Sequence, residues 1–346
     1  MRRFRHPRPG STLIRFRAGC KLTCWRAHSA APDADRHRSC RWETPVQSQP
    51  RIDSHQHFWR LSRGDYGWLT PALGPIHRDF EPADLAPHLT EHDIAATILV
   101  QAAPTEAETR FLLDIAARTP FVAGVVGWAD FEAPDAPARI AALAVDPLLV
   151  GLRPMVQDIP DPHWLARPEL APAFAALNEH GLVFDALVKP PQIPALLALL
   201  ARETQLPVVI DHGAKPDLTE PDLTGADLAE WRDGIAALAA RPNTACKLSG
   251  LVTEAGPDWS DATLAPAVAH LVACFGPERL LWGSDWPVAT LRAAYGDWLA
   301  AARRLTATLT EPERAALFGG NAERLYLAKR GRNPANPVSG GSSSRS

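Results

Sequence analysis

Eight short apolar runs, separated by stretches with helical spacing, constrain this chain more than any other feature. They fall at residues 52–57, 95–101, 121–128, 148–154, 182–188, 207–212, 244–249 and 280–285. Most are apolar throughout rather than alternating, the pattern of strands covered on both faces and hence of a parallel sheet. Between them, Thr105 and Glu108 read as a capping box ahead of an apolar helix. Residues 193–200 and 264–275 repeat apolar side chains at helical spacing. Eight strand–helix units over about 280 residues predict a single (β/α)8 TIM barrel, for which ~250 residues is usual. A doubly wound open sheet is the alternative. It would place a Gly-rich phosphate turn after the first strand, where this chain has Ser54-His55-Gln56-His57.

The barrel is expected over residues 51–328. Residues 1–50 carry eleven Lys/Arg against three Asp/Glu and no periodic apolar segment. They read as a disordered or mis-called leader, with an Arg-rich, acid-poor transit peptide as the other reading. The tail at 329–346 is rich in Gly, Ser, Asn and Pro and is expected to be disordered. Thr310 and Glu313 mark another capping box, and the helix they start is expected to end near Leu327 and to pack outside the barrel. Between the first two strands lies a long connection, residues 58–94, in which only 81–93 reads as a helix. It is either a lid or pocket wall, or a loop packed by its own aromatics.

A formal net charge of −3 over 346 residues gives no basis for nucleic-acid binding. No apolar run approaches the ~18 residues a membrane span needs. Five cysteines form no framework, and Cys20 and Cys24 have no second pair to complete a zinc site. A reduced, cytoplasmic protein is the expectation. Self-association into a homo-oligomer is left open.

In a barrel, residues at the C-terminal ends of the strands line the active site. The polar residues of this chain collect there: His55 and His57, Gln101, Arg153, Asp185, Asp211 and His212, Lys247 and Ser249, and Asp285. Burying so many ionisable groups is costly without a shared polar centre, and that convergence argues for an enzyme. Each has a plainer reading alone. The two histidines could be bonded to backbone, Asp285 could cap the segment at Pro287, Lys247 could pair with Asp185, and His212 could cap a turn. Strand alternation turns Asp211 away from the pocket if His212 faces it.

The residues also carry a family resemblance. Asp53-Ser54-His55-Gln56-His57-Phe58-Trp59, Gly151-Leu152-Arg153-Pro154, Val209-Ile210-Asp211-His212-Gly213, Lys247-Leu248-Ser249-Gly250-Leu251 and Trp282-Gly283-Ser284-Asp285-Trp286-Pro287 resemble the amidohydrolase superfamily. The nearer likeness is to its amidohydrolase 2 branch of sugar lactonases, the L-fuconolactonase, L-rhamnonolactonase and pyrone-dicarboxylate lactonase group. It spans roughly residues 51–327. The resemblance implies a hydrolase that is mononuclear or metal-independent. In the wider superfamily the first-strand histidines and the last-strand aspartate hold a metal, which implies His55, His57 and Asp285 around one zinc or manganese ion here. Arg153 and Asp185 stand where further ligands would be, which argues against a binuclear centre.

The expected reaction is opening of an aldonolactone by water, with a small-molecule lactone as partner. Asp285 takes the proton from water and returns it to the leaving oxygen. His55, His57 and His212 polarise the carbonyl, with or without the ion. Arg153 and Lys247 hold hydroxyls or a carboxylate. Gln101, Trp59, Trp286 and Asp185 complete the substrate-binding set. A metal-dependent decarboxylase of the same superfamily is the alternative.

Overall fold

The computed structural model describes residues 49–219 and 226–328. The expected leader (1–50) and tail (329–346) lie, but for residues 49 and 50, outside them. Eight parallel strands run in sequential order: β1 (Ile52–Gln56), β2 (Ala96–Val100), β3 (Val122–Gly127), β4 (Leu149–Leu152), β5 (Val183–Ala186), β6 (Val208–Ile210), β7 (Thr244–Leu248) and β8 (Leu280–Trp282). All eight expected runs are strands, each trimmed at its C-terminal end, where the backbone turns into the loops that carry the site. Helices follow in turn: α1 (Pro82–His92), α2 (Glu106–Arg118), α3 (Ala136–Ala144), α4 (Ala171–Glu179), α5 (Ile193–Arg202), α6 (Ala226–Ala239), α7 (Leu251–Glu254), α8 (Asp261–Phe275), α9 (Tyr295–Leu305) and α10 (Glu311–Ala315). This is the TIM barrel that the alternating pattern predicts.

Two apolar cores explain the continuous hydrophobicity of the strands. Ile52, Ile98, Val100, Val126, Val150, Val183, Val209 and Leu281 fill the barrel interior. A larger cluster joins the outer strand faces to the helices. The interior core also takes in Ala322, Tyr326 and Leu327. The expectation that the last helix packs outside the barrel is therefore corrected. After α10 the chain continues through two further helical turns (Ala316–Gly320 and Glu323–Leu327) that plug the barrel's lower end. Tyr326 sits on the same helical face as Ala322, four residues away, and both face the interior.

β1 and β8 close the barrel through an isolated parallel bridge between Gln56 and Trp286 rather than a full ladder. Side chains stitch the seam. Asp53 Oδ1 accepts from the backbone of His55 (3.1 Å) and Ser284 (2.8 Å), and Tyr295 donates to Oδ2 at 3.1 Å. Asp285 N–H reaches His55 O at 2.8 Å. Gly283 is required here, because a Cβ at that position would lie 2.7 Å from the His55 Cβ.

The long connection after β1 is a packed loop. Trp59, Tyr66, Ile76 and Phe80 are buried, and Trp59 forms an antiparallel bridge with Phe80. Among the described residues no helix is long and apolar enough to cross a membrane, and Cys246 and Cys274 are free.

Candidate active site

β1 delivers two imidazoles to the barrel mouth because its register slips between Asp53 and Gln56. That irregularity shifts the inward phase from Ile52 to the odd positions 55 and 57 and bends the strand beside the site, as bulges do. His57 Nδ1 lies 2.8 Å from Val100 O, so the ring donates there and its Nε2 lone pair faces the centre. His55 Nε2 is 3.2 Å from His57 Nε2.

Asp285 sits past the end of β8 with φ +56°, a left-handed conformation that Asp tolerates better than most residues. Its Oδ1 lies 3.4 Å from His57 Nε2, 3.7 Å from His55 Nε2 and 3.9 Å from His212 Nε2. Its side chain caps no helix. One carboxylate is thus ringed by three imidazoles. Burial would raise the Asp285 pKa, but His212, His57 and His55 hold it well below the usual carboxylate range. Burial, with Lys247 nearby, keeps His55 neutral. Burial likewise lowers His212 to about 4, against the pull of Asp285 and Asp211.

The chain after β6 departs from the simple alternation argument. Val209 faces inward, so Asp211 does too, and its carboxylate meets Arg153 Nη1 (3.2 Å), Lys247 Nζ (2.9 Å) and His55 Nδ1 (3.4 Å). The expectation that Asp211 points to the outer layer is therefore corrected. His212 still faces the pocket because His212, Gly213, Ala214 and Lys215 all have positive φ. This left-handed turn costs ~1–2 kcal/mol at each of its three non-glycine residues, and backbone strain of this kind clusters at functional sites. His212 Nδ1 then pairs with Ser249 Oγ at 2.9 Å. Gly250 makes room for the ring, since a Cβ there would lie 2.5 Å from His212 Nδ1.

Below this rim lies a sealed ionic floor. Lys247, fully buried, places Nζ 2.5 Å from Asp185 Oδ2 and 3.1 Å from His55 Nδ1. Tyr326 donates to Asp185 Oδ1 at 2.7 Å. Burial raises Asp185 to about 6 despite Lys247. Asp211 is held well below its ordinary range, because Lys247, His55 and Arg153 outweigh its burial. Lys247 and Asp185 therefore support the site from beneath, and their expected contact with substrate is replaced by contact with each other.

The remaining expected residues divide. Arg153 spans floor and rim, with Nη1 3.4 Å from His55 Nε2. Gln101 does not line the pocket as expected. Its side-chain Nε2 donates to Arg153 O (2.7 Å) and its backbone carbonyl accepts from Arg153 Nη2, so it positions the guanidinium. Trp59 has no exposed surface, and its indole donates to Arg78 O at 2.7 Å. Trp286 packs edge-on against Phe58 and Phe80. Neither indole presents the free face that stacking on a sugar needs. Asp53 and Tyr326 were missed by sequence reasoning. Asp53 hid beside the His-x-His pair, and Tyr326 lies far from any strand end.

The histidine–aspartate cluster fits a divalent ion. His55 Nε2, His57 Nε2 and Asp285 Oδ1 form a triangle with edges of 3.2, 3.4 and 3.7 Å. Ligands ~2.0–2.2 Å from a tetrahedral zinc stand about 3.4 Å apart. All three residues are buried and their ligand atoms lie within 4.8 Å of one another.

An amidohydrolase family model matches residues 52–327. The chain is 48% identical to an L-fucono-1,5-lactonase of Burkholderia ambifaria over 81% of its length and 96% of the relative's. It is 40% identical to an L-fucono-1,5-lactonase of Burkholderia multivorans, over 80% and 95%. A solved amidohydrolase from Burkholderia multivorans with bound zinc superposes with a TM-score of 0.75 at 38% identity, covering 80% of this chain and 99% of that one.

Proposed function

The chain belongs to the amidohydrolase family and is a hydrolase of carboxylic ester bonds, and we propose that its substrate is the lactone ring of an aldonic acid, L-fucono-1,5-lactone or a close relative. The observation that carries this reading is the single carboxylate, Asp285, ringed by His55, His57 and His212 beside the Arg153 guanidinium. A lactone is an activated ester. It needs a proton acceptor for the attacking water, compensation for the oxyanion, and a proton for the leaving ring oxygen.

Asp285 stays ionised at neutral pH and orients the water through its carboxylate. A carboxylate this acidic is a weak base alone. His212 Nε2 lies 3.9 Å from it, and this imidazole, kept neutral by burial, accepts the proton onward. The proton returns from this cluster to the ring oxygen as the C–O bond breaks, leaving the open-chain acid. Arg153 supplies fixed positive charge for the oxyanion, held in place by Gln101 and Asp211. Lys247 and Asp211 lie against His55 Nδ1 and orient its Nε2 toward the carbonyl. Zinc or manganese, when bound, would be held by His55, His57 and Asp285 and would supply carbonyl polarisation and a more acidic water.

The test is acid release by the purified protein from a panel of aldonolactones, with and without a chelator. Acid release that survives chelation supports carbonyl polarisation by Arg153 and the imidazoles alone. Loss that zinc or manganese restores supports an ion on His55, His57 and Asp285. No acid from any lactone overturns the reading and leaves the decarboxylase alternative.

A further inference from the structure

The left-handed turn that aims His212 ends on a lysine that the chemistry above does not use. Lys215 Nζ lies 2.9 Å from Glu254 Oε1 and 3.2 Å from Gln157 Oε1. The three residues follow the C-terminal ends of β6, β7 and β4, on the catalytic face of the barrel. The Lys215 and Glu254 side chains are 20% and 21% exposed, against at most 6% for the histidines and Asp285. They therefore stand above the reacting groups and are open to a ligand.

Backbone contacts tie this pair to the centre. Lys215 N–H donates to His212 O at 2.9 Å, and Leu218 N–H donates to Glu254 O at 3.1 Å. The electrostatics agree. Burial raises the Glu254 pKa and Lys215 opposes it, while the Asp285 charge pushes it further up, so Glu254 feels the catalytic carboxylate.

We propose that Lys215, Glu254 and Gln157 form an outer collar that recognises the ring hydroxyls of the lactone. This inference rests on the lactonase reading and names how that site selects a polyhydroxylated ring. An ammonium has three protons, and Glu254 and Gln157 take two, leaving one for a ligand oxygen. Among the described residues, Glu254 Oε2 has no partner. A donor beside an acceptor matches two neighbouring hydroxyls. One oxygen accepts from Lys215 while the other hydroxyl donates to Glu254. A hydrocarbon lactone of the same ring size offers neither.

The experiment compares the parent, Lys215→Met and Glu254→Gln on a 1,5-aldonolactone and on δ-valerolactone. Calorimetric titration with an alditol of matching chain length accompanies the kinetics. Methionine keeps the length of lysine and faces the same left-handed backbone. The expected result is a fall of about tenfold in the ratio of kcat/KM for the hydroxylated over the plain lactone, carried by KM. That is the loss of one charge-assisted hydrogen bond. An unchanged ratio in both variants overturns the proposal, because a merely structural loop contact would slow both substrates alike. If the parent opens neither lactone, the hydrolytic reading fails and the titration decides. Alditol binding by the parent that both variants lose keeps the collar as a polyol site, and equal heats in all three proteins remove it.

Discussion

The rim and the floor of this barrel hold the same kinds of residue in opposite states. The floor is closed. Lys247, Asp185 and Asp211 have no exposed surface, and the lysine sits between both carboxylates at 2.5 and 2.9 Å. The rim is open-valenced. Asp285 faces three imidazoles, of which burial keeps His55 and His212 neutral, so its charge is solvated by groups that can take a proton or a metal rather than neutralised by a fixed cation. Paired ions hold a structure in place, whereas an anion among uncharged acceptors holds chemical potential for reaction. Arg153 joins the two layers, with one nitrogen shared between Asp211 and His55.

Removing one charge from each layer separates their roles. Asp285→Asn removes the rim's anion and keeps its shape, and Asn accepts the left-handed backbone as well as Asp does. We expect lactone hydrolysis to fall about 10²–10⁴-fold, with Tm unchanged, measured by acid release and calorimetry on the same sample. Parental turnover would remove Asp285 from the mechanism. Lys247→Met removes the floor's lysine and leaves Asp185 with no cation and Asp211 with Arg153 alone. A loss of about 3–5 kcal/mol in stability is expected at neutral pH, read from the urea midpoint. Acid should restore part of it. The stranded carboxylates have raised pKa values in the folded variant, so their cost disappears as they protonate and returns as pH rises. A variant with parental stability would show that the floor does not carry the fold.

The barrel was legible because its signal is repetitive. Eight buried strands and their helices repeat one pattern, and each repeat supports the others. The site residues were legible as a set, because ionisable groups at the ends of apolar strands need a common reason. Their division into rim and floor was not. Lys247 and Arg153 look alike in sequence, and only packing shows that one is sealed beneath the other. Asp211 was misplaced because alternation assumes extended backbone through His212, and four left-handed residues break that assumption. Trp59 and Trp286 follow the same logic. An indole near a strand end can face substrate or core with equal ease, and Arg78 O and Phe80 decided it here.

The smallest effect separates the layers by pH. His212 is lowered by burial from 6.5 to about 4, so its contribution to stability is fully present above 6.5 and is lost as pH falls through 4. Asp53 and Asp185 are raised by burial to about 6. Their contribution is present below 3.8 and is lost as pH rises through 6. Between pH 4 and 6 the two trends have opposite sign and partly cancel in the parent. His212→Asn removes the rim's share and leaves the carboxylates. The variant should therefore gain Tm relative to the parent as the buffer is taken from pH 7 to pH 5. Parallel Tm profiles for the two proteins would mean that His212 titrates alike in the folded and unfolded chains, and that its imidazole is not held neutral by the site.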